Sequence, residues 1–276
     1  MQFSELILQD NRLYHLHLEP GEVSTTIICV GDPGRVDSVS KHFDSIELKR
    51  SHREFVTHTG VLDGKRITVV STGIGTDNVD IVLNELDALF NVDFSTRQAK
   101  PSHQTLEIYR IGTSGALVSD VAVDSFLYSE AALGLDALMN YYPEHRGWVE
   151  HDLLPKGAYF SKADNDLVDC FALEGDFTPG FTLTTAGFYA PQGRRIRLQT
   201  NLDLDKLGYT QIENRRLTNI EMETAGIYAL SALLGHKAIS LNAILANRAA
   251  GTFSSKPDQT VSALIERSLE IIINRR

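Results

Sequence analysis

The sequence predicts an α/β protein, a β-sheet covered on both faces by helices. Three observations predict it. Short β-branched apolar runs alternate with segments of helical periodicity, three of those runs end at glycine-containing turns, and the 276 residues, 42% of them hydrophobic, suffice for a large core.

In chain order, residues 25–30 form an apolar, β-branched run and read as a buried strand, with residues 35–42 a short helix after its turn. Residues 55–62 alternate and meet Asp63-Gly64, a hairpin signal, so residues 66–71 are the returning strand. Within residues 76–90, Val79, Val82, Leu83, Leu86 and Leu89 or Phe90 recur at helical spacing. Residues 91–104 are polar and unpatterned. Strand signals resume directly after them, so they read as a surface insertion in one domain spanning 1–276. Residues 108–111 and 122–128 read as strands, 161–174 as a helix and 181–186 as a strand. Residues 217–220 lead into a helix over 223–234 that Gly235 closes. Residues 237–245 are a long buried strand and 258–274 a terminal helix.

Charge and cysteine content exclude several classes. A net charge of -10 argues against a general nucleic-acid binder, which needs a basic face. Cys29 and Cys170 allow no disulfide framework and no CxxC zinc pattern, and Cys29, inside an apolar run, reads as a small buried hydrophobe. The amino-terminal stretch has early acids and no basic segment, unlike a secretory signal. No apolar run approaches the roughly 20 residues that span a bilayer. The expectation is a cytoplasmic protein with no membrane partner.

The three strand tips are GDPGR (31–35), STGIGTDN (71–78) and RIGTSGAL (110–117). Each joins glycine to hydroxyls or an arginine. Glycine lets the backbone approach a ligand and aim N–H groups at it, and arginine forks match phosphate geometry. One such tip alone reads more readily as an ordinary turn than as a site. Three together point to a small oxyanion. No GxxxxGK[ST] loop and no full GxGxxG occurs, which weakens nucleoside triphosphate and dinucleotide readings.

GDPGRV, SHREF, STGIG, RIGTSGAL and IEMETAGIYAL stand in an order and spacing that resemble the nucleoside phosphorylases, the branch holding uridine phosphorylases and hexameric purine nucleoside phosphorylases. The resemblance runs from about Tyr14 to the last helix. It implies a single domain with a central mixed sheet, partly closed into a barrel and flanked by helices. It also implies cleavage of a nucleoside's N-glycosidic bond by inorganic phosphate, giving free base and ribose 1-phosphate. Phosphate would be a co-substrate, with no metal and no organic cofactor.

By the same resemblance, the Gly31 backbone, Arg35, Arg110 and Thr113 hold phosphate. Arg53, in SHREF, reaches the phosphate of a neighbouring subunit, and His15, in LYHLHL, approaches the ribose across that interface, so the protein is at least a homodimer with shared sites. From the residues alone, Arg53 reads more readily as a strand-edge charge facing solvent, and His15 and His17 as a same-face pair on a strand with no third metal ligand beside them. Met222 and Glu223 take the ribose, the methionine packing on the sugar and the carboxylate accepting its hydroxyls. Glu223 could instead cap the following helix, a task open to Glu221 too. Arg110, Glu223 and Arg194 are the expected catalytic residues.

The base side decides the subclass. GFYAPQGRR (187–195) resembles the uracil-reading segment, with Phe188, Gln192 and Arg194 at the matching positions. A glutamine amide can donate to a uracil oxygen and accept from its N3–H, and arginine can stabilise charge on the departing base. The bland alternative is a polar loop, since Arg195 and Arg197 follow closely. Arg248 matches an arginine that assists uracil recognition, and where purine enzymes carry an acid that protonates N7, Ala249 and Ala250 follow and no acid occurs before Asp258. Uridine is the expected substrate. A phosphorylase for deoxyuridine, thymidine or a purine nucleoside, a hydrolytic nucleosidase, and a non-catalytic nucleoside-binding homologue are the alternatives.

Overall fold

One mixed sheet of 11 strands organises the chain. The structure, a computed structural model, describes residues 5–275; residues 1–4, where the stretch compared above with a secretory signal begins, and Arg276 lie outside it. The strands are β1 (Thr26–Val30), β2 (Ser45–His52), β3 (Phe55–Leu62), β4 (Lys65–Ser71), β5 (Glu107–Ala116), β6 (Phe126–Gly134), β7 (Tyr159–Lys162), β8 (Phe177–Thr184), β9 (Asn219–Glu221), β10 (Lys237–Asn247) and β11 (Thr252–Phe253). The helices are α1 (Gly34–Ser40), α2 (Thr76–Asn91), α3 (Asn165–Ala172), α4 (Leu204–Tyr209), α5 (Thr224–Leu234) and α6 (Pro257–Asn274). None is long and apolar enough to cross a membrane.

β5 is the hub. It runs parallel to β1 on one side and to β10 on the other. From β10 the pairing passes to β6, β8 and β9, and β9 returns to β5, so these strands close a barrel. β1, β4, β3 and β2 continue from β5 as an open wing. β1 is buried at every position, which is why its sequence is a continuous apolar run rather than an alternating one. Asp63 and Gly64 both have positive φ and make the tight turn between β3 and β4. The α2 stripe Val79, Val82, Leu83, Leu86 and Leu89 is buried in the main core. Each such side chain contributes about 1.5–3 kcal/mol.

Buried polar side chains link the barrel strands to one another. Arg110 Nη1 on β5 donates to Asn242 Oδ1 on β10 at 3.0 Å. The Asn242 amide donates to Ser129 Oγ on β6 at 3.2 Å, and Ser129 shares a 2.6 Å bond with Thr182 Oγ1 on β8. Thr182 donates to Asn219 Oδ1 on β9 at 2.9 Å, whose amide donates to Ser114 Oγ, back on β5, at 2.9 Å. The circuit passes every barrel strand once. Its members are buried, so their polar atoms depend on one another rather than on bulk water.

Several elements differ from expectation. RIGTSGAL is not a strand tip: β5 runs through it to Ala116. Its glycines mislead because they answer a packing need. A Cβ on Gly112 would lie 2.2 Å from Arg110 Nη1, so glycine makes room for the guanidinium. The helix expected over 161–174 begins only at Asn165, capped by Asp164, because residues 159–162 pair with β6 as β7. The strand expected at 122–128 lies at Phe126–Gly134, and the one at 181–186 at Phe177–Thr184. β2 was not expected, since its partly exposed wing-edge position gives it no apolar run. Residues 91–104 hold a two-residue-strand hairpin, Val92–Asp93 with Gln98–Ala99, tied to the end of α2 by the Asn91 side chain.

Candidate active site

Between Arg110, where pairing with β1 ends, and Gly115, where pairing with β9 begins, residues 111–114 of β5 have a neighbour on one side only. This is a switch point, the place in an open α/β sheet where backbone groups remain free for a ligand. Gly31 follows β1 directly, and a Cβ on it would lie 3.5 Å from the Gly73 carbonyl, so GDPGR and STGIG meet beside the gap. Arg35 Nη1 donates to the Ile111 carbonyl at 3.4 Å, and Thr113 lies half-buried within the gap. Of the residues expected to hold phosphate, Gly31, Arg35, Arg110 and Thr113 therefore converge.

Arg110 is only 6% exposed, and its neighbours Glu221 and Glu223 are 4% and 5% exposed. Nη1 donates to Ser240 Oγ at 3.2 Å and to Asn242 at 3.0 Å. Nη2 donates to Glu223 Oε2 at 2.6 Å and sits 3.0 Å from Glu221 Oε2. Burial opposes the charge on Arg110, but the two carboxylates outweigh it and raise its pKa. Burial also raises the pKa of Glu223; Arg110 pulls the other way, and the like charge of Glu221 adds to the rise. Arg35 has its pKa lowered by burial first and by the like charge of Arg110 second.

The two glutamates divide their labour. Glu221 Oε2 accepts from the backbone N–H of Glu223 at 2.8 Å and of Thr224 at 2.9 Å, capping α5, while Oε1 accepts from Thr184 Oγ1 at 2.5 Å. Glu223, at the N-cap position, makes no side-chain cap bond. It accepts instead from the Gly75 N–H at 2.8 Å, on Oε1. Gly75 has φ +95°, a conformation that favours glycine, and this aims its amide at the carboxylate. Glu223 is thus free of the capping task and faces Arg110. Met222 between them is half-buried. Ser240 and Asn242, which seat Arg110, went unread in the sequence; their signal was two polar residues at a spacing of two inside an apolar strand.

Thr185 N donates to the Glu221 carbonyl at 3.1 Å, so the chain leaving β8 starts from the same spot. It carries the base-side residues. Arg194 stacks on Phe188, its Cζ 3.8 Å from the ring centroid. Its Nη1 donates to Gln192 Oε1 and to the Phe188 carbonyl. Arg248, from the end of β10, donates to the Gln192 carbonyl at 2.6 Å. Burial lowers the pKa of both arginines, and the charge of Arg194 lowers Arg248 further. Phe188, Gln192, Arg194 and Arg248 therefore form one group. A cavity of about 640 Å³ lies on this side, lined by Gly193, Leu202, Asp205 and Arg248 among others.

His15 and Arg53 stand apart from Arg110. His15 Nδ1 bonds Glu85 Oε1 at 2.7 Å, and the exposed Arg53 lies 4.8 Å from the Tyr14 ring centroid, in a left-handed backbone conformation. The two share one surface patch, and none of these partners belongs to the Arg110 cluster. Elsewhere, Asp87, His103 and His236 bring ligand-type atoms within 4.8 Å of one another. His236 Nδ1 accepts from the Leu106 N–H at 3.3 Å, so Nε2 carries the proton and offers no lone pair to a cation.

A family profile described as the phosphorylase superfamily matches residues 25–274. The uridine phosphorylase of Thermococcus kodakarensis is 26% identical over 264 residues, covering 96% of this chain and 88% of that protein. A DeoD-type purine nucleoside phosphorylase of Streptococcus suis is also 26% identical, over 263 residues, covering 94% of this chain and 98% of that protein. Among solved structures, a Trypanosoma brucei nucleoside phosphorylase described as showing uridine phosphorylase activity superposes with a TM-score of 0.86 at 27% identity, covering 99% of this chain and 100% of that one.

Proposed function

Because the chain belongs to the phosphorylase superfamily, as a pentosyltransferase of the nucleoside phosphorylase kind, we propose that its substrate is a pyrimidine nucleoside, uridine, cleaved by inorganic phosphate to uracil and ribose 1-phosphate. One observation supports the base assignment above the others. Arg194 and Arg248 converge on Gln192, and no acid follows Arg248 in the chain before Asp258. Two cations and an amide suit a base that departs with negative charge on its oxygens; a purine departs more readily when an acid protonates N7.

The reaction develops positive charge at the sugar and negative charge on the base. Phosphate held by the Gly31 amide, Arg35, Arg110 and Thr113 attacks the anomeric carbon and stabilises the first charge, while Gln192 and Arg194 stabilise the second. Glu223 fixes the ribose through its hydroxyls, with Met222 against the sugar. His15 and Arg53 serve the site of a second copy, so the enzyme is a homo-oligomer, at least a dimer. It needs no cofactor beyond phosphate and works in the cytoplasm.

The test is release of base from uridine with and without phosphate, beside inosine and thymidine. Uracil release that requires phosphate is the expected result. Release without phosphate would make the enzyme a hydrolase. Phosphate-dependent release from inosine alone would overturn the reading of Gln192 and Arg194.

A further inference from the structure

Four of the five N–H donors of Arg110, those on Nη1 and Nη2, already face protein acceptors before any ligand arrives. Both Nη1 hydrogens are spent on Ser240 and Asn242; Asn242 belongs to the buried circuit around the barrel and also donates to Ser240 Oγ at 3.3 Å. That edge of the guanidinium is fixed. The other edge faces two carboxylates, which are not equivalent. Glu221 is held by Thr184 and by two backbone N–H groups of α5, so it cannot leave without uncapping the helix. Glu223 has one anchor besides Arg110, the Gly75 N–H. Among the Nη donors of Arg110, the bond from Nη2 to Glu223 is therefore the exchangeable one.

From this asymmetry we infer that Glu223 competes with phosphate for Arg110, and that the two co-substrates therefore bind with mutual reinforcement. The inference rests on the phosphorolysis reading above. A phosphate oxygen that takes Nη2 removes the strongest donor from a buried carboxylate, which is costly unless new donors arrive. The ribose hydroxyls are such donors. Conversely, a ribose that satisfies Glu223 releases Nη2 for phosphate. Arg35, the other cation at the gap, donates to the Ile111 carbonyl and offsets part of the anion's charge in either case. Each ligand thus frees the group the other needs, and linkage makes the effect equal in both directions.

Sulfate, a tetrahedral dianion that cannot carry out phosphorolysis, allows both affinities to be measured without turnover. Calorimetric titration of the full chain with uridine, in phosphate-free buffer with and without saturating sulfate, is the first experiment. Uridine binding should tighten about 10-fold with sulfate, within the usual range of site-to-site coupling. Sulfate binding should tighten by the same factor with uridine. 2′-Deoxyuridine, which offers Glu223 one donor fewer, should show a smaller factor.

The Glu223→Gln variant separates the idea from a merely structural role. Removing the competing charge should make sulfate bind more tightly than in the wild type when no nucleoside is present, and should reduce the coupling to under about twofold. A residue that only held the site together would weaken sulfate instead. Equal uridine affinity with and without sulfate, or coupling that survives in Glu223→Gln, would overturn the inference. Uracil release with phosphate is scored on the same preparation. Turnover without coupling overturns this inference alone; no turnover overturns the phosphorolysis reading and the inference with it.

Discussion

Arg110, Glu221 and Glu223 at the barrel mouth are each no more than 6% exposed, whereas on the base side Phe188 is 51%, Ile196 71% and Leu198 80% exposed. The mouth is built from strands whose buried polar side chains bond in a path that leaves β5 at Arg110 and returns to it at Ser114. The base side is a loop from Gly187 onward, with Gln192 its buried anchor. The contrast separates two demands. Groups that stabilise charge at the reacting sugar need fixed positions in a dry site, because reorganisation there costs catalytic power. Groups that choose the base sit on a segment that can change without disturbing the fold.

Removing charge at the mouth should break this division most severely. Arg110→Ala leaves Glu221 and Glu223 buried with no counter-ion. We expect a loss of about 3–5 kcal/mol in stability, from which the acid side of the pH range gives relief because protonation removes the uncompensated charge. Phosphate-dependent turnover should fall roughly 100-fold or more. Urea unfolding at neutral and acidic pH, with initial rates, checks both parts. A stable, near-fully active Arg110→Ala protein would dissolve the distinction between mouth and loop.

On the base side, Gln192→Ala should act on choice rather than on phosphate. The loss of an amide that reads both a uracil oxygen and N3–H is expected to lower kcat/KM for uridine about 10–100-fold. The KM for phosphate should change by less than about twofold. Steady-state kinetics over both substrates decides it; a matched rise in the phosphate KM would show that the two regions are not separable.

How much of this contrast could be read from the sequence follows the same line. Apart from its edge strand β2, the wing and its hairpin were legible because a continuous apolar run, an Asp-Gly turn and an α2 stripe are local signals. So was the clustering of Gly31, Arg35 and Arg110. The barrel was less legible. RIGTSGAL looks like a strand exit because glycine signals turns in sequence, yet Gly112 exists to admit a guanidinium brought in by its own strand. Asn242, Ser240 and Asn219 carry no motif, and their value comes from closure of the barrel, which joins strands far apart in the chain. The sharing of tasks between Glu221 and Glu223 was open in the sequence because both lie at the start of α5; only the geometry of the cap assigns it.

A smaller effect tests whether the mouth stores unfavourable charge for the sake of its task. The pKa of Glu223 is raised in the folded protein, with burial the largest cause. A group whose folded pKa exceeds its unfolded value favours folding when protonated. Its contribution is therefore fully present below the unfolded carboxyl range and is lost as pH rises through the folded pKa. Glu223→Gln removes that loss. The variant should be more stable than wild type at neutral pH, by about 1 kcal/mol, with the gap closing as the pH falls toward the unfolded carboxyl range. Urea midpoints across pH measure this, and a variant less stable at neutral pH would mean that the Arg110–Glu223 pair contributes net stability.

The smallest effect belongs to the loop's exposed basic run. Arg195 and Arg197 flank Ile196, all three exposed, and follow Arg194, which is held by Phe188 and Gln192. If the base side is a specific reader and not merely a polar loop rich in arginine, charge alone is not what counts there. Arg195→Ala removes one positive charge a single residue away from Arg194 without touching the Phe188 stack or the Gln192 contact. Stability should move by less than about 0.5 kcal/mol, as for an exposed side chain with no special bond. Turnover of uridine should stay within about twofold, since a solvent-exposed charge is largely screened at ordinary salt. Arg194→Ala, measured beside it, removes a stacked and hydrogen-bonded guanidinium and should cost far more. Equal losses in the two variants would mean that the loop acts as a diffuse positive field, and would return the base assignment to the polar-loop alternative.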